Sequence, residues 1–381
     1  MSAPQERKGE QAMAANGTND GLLDVAVVGG SQAGLAMAWH LAREQLRFVV
    51  LEAGPEIGHA WRSRWDSLTL FTPAQHDALP GMPFPGRPDT YPTKGPVADY
   101  LRDYATAFNL PVRLNARVTH LSKTAGGFEV RTQADVFRAR QVVVATGPFQ
   151  VPFVPPAADR LDGSVTQLHS AGYRNPQALP SGPVLVVGGG NSGFQIAEEL
   201  AAAGRQVDLS IGTKQPVLPQ RLAGKDLFWW LTRLRLMRVS TESRLGRRMS
   251  SREFIIGSSR RQLRAKGIRF RPGVAGADGR TVRFTGGTSL DVSTVVWATG
   301  YRSDYSWIDI PGVVHDGQVI HQRGATGVSG LYFLGLTWQH TRGSALLGFV
   351  NDDAAHLAGR ITANARATQA APARPAPQRT A

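Results

Sequence analysis

At 381 residues the chain suits two domains, or one domain carrying another as an insert. Its net charge of +14, mostly from arginine, admits nucleic acid, a membrane surface, an acidic protein or a phosphate-rich ligand. The basic residues are spread along the chain, without zinc-finger spacing or a basic coiled-coil region, so nucleic acid is not expected. There is no cysteine, which excludes disulfides, thiolate metal sites and dithiol redox centres; any two-electron chemistry must belong to a bound group.

In chain order, Met1 to about Asp20 is polar, lacks the apolar core of a signal peptide, and is expected to be disordered. Asp24 to Val28 reads as a buried strand, Gly29 to Gly34 as a tight turn, Leu35 to Glu44 as a helix and Phe48 to Leu51 as a second strand. A Trp-, Pro- and Gly-rich stretch follows to about Pro96, then an amphipathic helix over Val97 to Phe108. Alternating runs at Gly127–Thr132 and Asp135–Arg138 predict a hairpin before the apolar strand Gln141 to Ala145. A second strand–turn–helix–strand unit, about 160 residues after the first, begins at Pro183 and ends at Ser210. Residues 221–266 read as a basic helical insert, with arginines from Arg233 to Arg264 interleaved with apolar residues; a lid, an acidic-partner surface or a membrane surface are its functional readings. Strands at Thr281–Phe284, Thr294–Ala298 and Gly330–Gly335 precede a last helix over Ser344 to Ile361, and the tail from 363 is expected to be disordered. No apolar run approaches the roughly 18 residues of a bilayer span, so a cytoplasmic protein without a transmembrane segment is expected. The histidines show no metal-ligand spacing, and no metal is expected.

The first turn reads Gly29-Gly30-Ser31-Gln32-Ala33-Gly34. Against G-x-G-x-x-G it has glycine at the first and last positions and Ser31 in the middle. Such a turn lets backbone approach a pyrophosphate at a helix N-terminus. Glu52 closes the next strand, where an acid holds the ribose hydroxyls of an adenosine. The second turn satisfies the pattern in full with Gly188, Gly190 and Gly193, carrying Asn191 and Ser192 between the last two. Its second strand ends in Ser210 instead of an acid, with Lys214 and Arg221 following and Arg205 preceding. Cations without an acid suit a 2′-phosphate, hence NADPH. Ala145-Thr146-Gly147 and Ala298-Thr299-Gly300 each end an apolar strand after one glycine turn.

That order of motifs resembles the two-dinucleotide-binding flavoproteins and, within them, the flavin-containing monooxygenase-like (class B) group. Further matching stretches are Ala60-Trp61-Arg62, Leu68-Thr69-Leu70-Phe71-Thr72-Pro73, Tyr91 to Lys94, Leu168 to Pro176, and Thr341 to Gly348. The chain is most similar to the bacterial branch labelled as flavoproteins of cation-resistance or potassium-transport operons, from about Leu23 to Ile361. The resemblance implies an α/β fold of two Rossmann-like, three-layer ββα domains, the NADPH domain inserted in the FAD domain. Residues 21–165 and 291–362 would form the FAD domain and 166–290 the inserted one. It implies that Gly335 and a helix N-terminus at Ser344 and Ala345 face the flavin pyrimidine edge, and that Trp61, Arg62, Leu68 and Thr69 lie by the isoalloxazine. His169 and Tyr173 would keep a linker role, although the family's Phe-x-Gly-x-x-x-His-x-x-x-(Phe/Trp) fingerprint is out of register here, His169 falling two residues late after Gly163. Because chemistry would be flavin-borne, acid–base residues are few; His169, His340 and Arg342 are the candidates.

The expected activity is that of an NADPH-dependent FAD monooxygenase. Hydride would pass from NADPH to FAD, and oxygen activated as a C4a-peroxyflavin would oxygenate a small organic substrate at nitrogen, sulfur or a carbonyl. Two alternatives stand beside it. One is a flavin reductase that passes electrons to an acidic, ferredoxin-like carrier. The other is a redox-sensing accessory protein in metal or potassium homeostasis.

Overall fold

The computed structural model describes residues 21–213, 215–251 and 254–370. Two parallel sheets organise it. In the first, the strand Leu23–Val28 is flanked in parallel by Phe48–Leu51 and Val136–Val144, and Val112–Arg113 extends the sheet beyond Phe48–Leu51. The short strand Leu331–Phe333 adds in parallel to the far half of Val136–Val144. The second sheet runs Arg269–Pro272, Val207–Ile211, Val184–Val187, Thr294–Trp297, Thr166–His169, all parallel.

Strict alternation along these strands feeds two cores per sheet, the signature of strands covered on both faces. Val25 and Val27 pack with Leu35, Leu41, Leu101 and Leu357 from helices on one face. Ala26 and Val28 pack with Phe128, Val130 and Phe137 of an antiparallel meander (Val118–Thr124, Gly127–Thr132, Val136–Val144) on the other. The second sheet repeats the scheme. Val184 and Val186 meet Ile196 and Leu200 of the helix Asn191–Ala202, while Leu185 and Val187 meet Val282 and Phe284 of the meander Val274–Asp278, Thr281–Phe284, Ser289–Asp291. The architecture is therefore the expected pair of Rossmann-like ββα layers.

The crossing between the two units is one short ribbon. Val151–Pro152 pairs antiparallel with Tyr301–Arg302, so the chain enters and leaves the inserted unit through one two-stranded ribbon. The 166–290 span is thus too short at both ends. Ala158, Leu161 and Val165 pack into the second unit's core, and Thr294–Trp297 is a central strand of its sheet. The basic insert is not one helix. Asp226, Ser243 and Ser259 each cap a new short helix, at Leu227–Arg233, Arg244–Ser250 and Arg260–Ala265. The last helix spans Asn351–Ala370, later in both start and end than the periodicity predicts. Its extension past 363 holds Ala365 buried and Asn364 bonded to the Tyr332 hydroxyl at 2.7 Å. The expected disordered segment 1–20 and the rest of the expected tail, 371–381, lie outside the described residues.

Trp297 joins the second sheet to its meander. It is 1% exposed, and its indole N–H donates to Gln167 at 3.1 Å. Trp297→Ala should lower unfolding stability by about 3–5 kcal/mol, read as a shift of the urea midpoint without a change in slope.

Candidate functional site

Both glycine turns leave the C-terminal edge of a parallel sheet, where open α/β sheets bind ligands. Val28, Leu51, Val144 and Phe333 end level in the first, as do Val187, Ser210, Trp297 and His169 in the second. The turns are close-packed in a way only glycine allows. A Cβ on Gly29 would lie 2.6 Å from the Ala145 carbonyl oxygen, and one on Gly188 would lie 2.0 Å from that of Ala298. A Cβ on Gly34 or Gly193 would strike the carbonyl oxygen of Gly29 or Gly188, at 1.8 and 2.2 Å. By contrast Gly190, Gly147 and Gly300 have open space where a Cβ would stand. Each Ala-Thr-Gly end therefore braces its glycine turn and leaves a bare backbone face beside it, the shape a pyrophosphate requires. The residues present fit two dinucleotides.

Glu52 lies across the first turn, accepting the Gly30 and Gly54 amides at 2.7 Å each. Each carboxylate oxygen retains acceptor capacity for a ribose hydroxyl. Ser31 caps the helix Gln32–Arg43 with extended backbone, and its hydroxyl donates to Gln32, which also accepts the Trp61 indole N–H at 3.2 Å. Gly335 packs against Ala33: a Cβ there would lie 2.9 Å from the Ala33 methyl. The C-terminal segment thus returns to the first turn.

Several residues expected at the cofactor sites have protein partners of their own. Ser210 is buried, and its hydroxyl donates to the Pro272 carbonyl at 2.7 Å, so it does not face a ligand phosphate. Arg205 precedes its strand and binds the carbonyls of Pro176, Pro180 and Gly182, at the sheet end opposite the glycine turn. Arg62 is held by Glu56 and Asp99, both at 3.0 Å. Ser344 and Ala345 form a 3-10 turn, Arg342–Ala345, instead of a long helix N-terminus; the Ser344 hydroxyl accepts the His340 and Thr341 amides. Lys214 lies outside the described residues.

The two units meet across a cavity of about 520 Å³ whose walls include Leu70, Phe71 and Tyr91 from the first and Phe194, Gln195 and Glu198 from the second. Leu68 packs against the cores of both. The Gln195 amide donates to the Thr69 carbonyl at 3.4 Å. Arg221 also lines the cavity and reaches the Asp89 carbonyl at 3.4 Å, across the cleft from the second sheet. Asn191 accepts the Ile256 amide at 2.9 Å, tying the insert to the start of the second turn's helix.

A clasp that sequence reasoning missed closes one side. Asp226 accepts from the Tyr91 hydroxyl at 2.6 Å, the Gln220 amide at 3.0 Å and the Phe228 backbone at 2.6 Å, and Gln220 also donates to the Phe71 carbonyl at 2.7 Å. An aspartate before an apolar run is an N-cap signal, so Asp226 was legible as a cap but not as a link between units. His169 donates through Nε2 to the Gly300 carbonyl at 2.9 Å and accepts the Ala171 amide at Nδ1. Both nitrogens are engaged by backbone, and burial holds its pKa below the usual histidine value against the raising effect of Gly300. This geometry suits a brace for the second Ala-Thr-Gly end. His340 sits under the insert, its carbonyl accepting the Thr241 amide at 2.8 Å, and the Arg342 guanidinium lies 4.3 Å over the Phe254 ring. Among the described residues no group of three or more His, Asp or Glu could hold a metal.

Asp77, also missed, is 0% exposed below the Leu68–Pro73 loop. Burial pushes its pKa up to about 7, against a 2.5 Å hydrogen bond from Thr72. Its folded pKa is above the ordinary 3.8, so the native state holds a proton that the unfolded chain has released; stability falls as pH rises from 3.8 to about 7. Asp77→Asn should therefore be more stable than the parent at pH 8, by on the order of 1–3 kcal/mol, and match it near pH 4. Equal gaps at both pH values, by calorimetry, would assign the effect to packing.

With this geometry in hand, comparisons with known proteins are specific. Residues 26–222 match the pyridine nucleotide-disulphide oxidoreductase family. The chain is 47% identical over 343 residues to the uncharacterized oxidoreductase CzcO-like of Geobacillus kaustophilus (strain HTA426), covering 89% of this chain and 98% of that one. It is 29% identical to an Arabidopsis thaliana protein named probable indole-3-pyruvate monooxygenase YUCCA8, over 84% of this chain and 85% of the other. Among solved structures, the flavin-containing monooxygenase from Stenotrophomonas maltophilia superposes with a TM-score of 0.76 at 28% identity, covering 90% of this chain and 99% of that one. The chain belongs to the pyridine nucleotide-disulphide oxidoreductase family, in its CzcO-like, flavin-containing monooxygenase-like branch, and is an oxidoreductase whose cofactors are FAD and a nicotinamide dinucleotide.

Proposed function

We propose that the protein is an NADPH-dependent FAD monooxygenase that oxygenates a small organic substrate at nitrogen, sulfur or a carbonyl. The observation that carries this is the pair of braced glycine turns, each at the C-terminal edge of its own parallel sheet, in a chain with no cysteine. Many members of a pyridine nucleotide-disulphide family would need a thiol pair; here a dithiol relay is impossible, so electrons leaving the flavin go to an acceptor outside the chain. The monooxygenase names of the Arabidopsis and Stenotrophomonas proteins support oxygen as that acceptor.

Bound FAD would supply the redox chemistry, taking hydride from the nicotinamide and passing electrons to oxygen. The chain's part is placement. Gly29, Gly30 and Gly34 with Gly147 would seat the FAD pyrophosphate, and Glu52 its ribose. Gly188, Gly190 and Gly193 with Gly300 would seat that of NADPH. Trp61, Leu68 and Thr69 on one side and Gln195 on the other would bound the space between the reacting rings. The Asp226 clasp and the Phe228–Phe71 stack, 5.8 Å between ring centroids, hold the insert over that space and limit water. For NADPH over NADH the remaining candidate cations are Lys214 and Arg221.

Isotopic oxygen tests the reading. With NADPH, ¹⁸O₂ and a panel of amines, sulfides and ketones, one ¹⁸O atom should enter product in step with NADPH consumed. The basic charge favours the rival, a reductase for an acidic carrier, and that rival predicts no ¹⁸O product and carrier reduction that slows steeply with salt. Gly188→Ala should keep bound FAD, seen by its absorbance, while slowing flavin reduction by NADPH at least 100-fold. Unchanged reduction would remove the second turn from the nucleotide site.

A further inference from the structure

Residues 222–251 carry a surface that the cleft does not explain. Between Leu227 and Ser251 the sequence holds Arg233, Arg235, Arg238, Arg244, Arg247 and Arg248 against a single acid, Glu242. All six arginines are exposed, and none pairs with a carboxylate among the described residues. Apolar side chains stand between them. The helix Leu227–Arg233 buries Leu227, Phe228 and Leu231 against Phe71, Leu346 and Phe349, which fixes it as a rigid platform. Exposed leucines flank it. Leu222 is 54% and Leu234 60% exposed. The Trp230 indole donates to the Leu222 carbonyl at 2.9 Å, which brings the two residues together, and Leu234 follows Trp230 by four residues, one turn on. Trp229 meets Trp230 edge-on at 4.8 Å, with Lys225 over the Trp229 ring at 5.7 Å. The next helix adds Leu245, 52% exposed.

We infer that this face docks on an anionic lipid bilayer surface, with Leu222, Trp230 and Leu234 entering the headgroup region and the arginines meeting lipid phosphates. Charge complementarity requires an anionic partner. Exposed leucine and tryptophan among the arginines select a membrane over an acidic protein, because a fluid interface accepts apolar side chains without a matching pocket, and tryptophan with arginine is favoured at that depth. No described helix is long and apolar enough to cross a membrane, so the contact is peripheral. The Thr241 amide of the same segment bonds the His340 carbonyl and Phe228 stacks on Phe71, so the docked face and the roof of the cleft are one body.

Co-sedimentation of the full-length, FAD-containing protein with vesicles tests this. Vesicles with 30% phosphatidylglycerol, on the order of the anionic content that attracts polybasic segments, should carry the protein down at low salt and release it at high salt; phosphatidylcholine alone should not. Arg233→Glu and Arg235→Glu should each lower partitioning about fivefold or more. The double variant Leu222→Ser with Leu234→Ser should lower it at least as much at constant salt. Arg138→Glu, on the first unit's meander, should not change it. Brominated acyl chains should quench tryptophan fluorescence of the unmodified protein in anionic vesicles, a readout that needs no variant. Absence of anionic-vesicle binding, absence of quenching, or full binding by the folded leucine variant would overturn the proposal; the first result would point to an acidic protein instead, and the last to a purely electrostatic contact without insertion.

Discussion

Everything in this molecule hangs on two backbone contacts that leave no room for a side chain. The Ala145 carbonyl closes on Gly29, and the Ala298 carbonyl closes on Gly188. Each contact joins the end of a later strand to the turn of an earlier one, across more than a hundred residues of chain. The repeated Ala-Thr-Gly is thereby explained sterically: a small residue supplies the bracing carbonyl, and a glycine after it leaves the ligand side bare. The same contact sets the level at which four strands end in each sheet, and so where anything bound must lie.

The insert depends on this frame. Its inner aromatic face has a partner only because the Leu68–Pro73 loop and the segment around Leu346 to Phe349 are already positioned by the first sheet. Asp226 then adds polar linkage to that apolar contact, satisfying a cap and two side chains from two parts of the chain with one carboxylate. A buried acid so used favours one arrangement of the two units over near alternatives, since any shift leaves it short of donors.

The sequence made the frame legible because its signals are local: glycine spacing, strand alternation and the Ala-Thr-Gly ends each lie within a few residues. What stayed hidden was relational. Ser210 lies in one strand and Arg205 just before it, yet neither position reveals that Ser210 turns inward to Pro272 or that Arg205 sits at the wrong end of the sheet. The crossing ribbon at Val151–Pro152 and Tyr301–Arg302 is two residues long on each side, too short for any periodicity. The polar strand Val118–Thr124 gains its order from its neighbours in the meander. The final helix reads short in the sequence because an alanine-rich polar stretch resembles a tail, although alanine is the strongest helix former.

That ribbon has a consequence for how such a protein arises. The inserted unit begins and ends at strands that hydrogen-bond to each other, so its two ends are neighbours in space and the host sheet is interrupted at a single point. A unit attached in this way can be gained, lost or exchanged whole, by recombination at two nearby backbone positions, without rewriting the core of the domain that carries it. The second glycine turn then reads as a module, and the partner it selects can change while the first stays as it was.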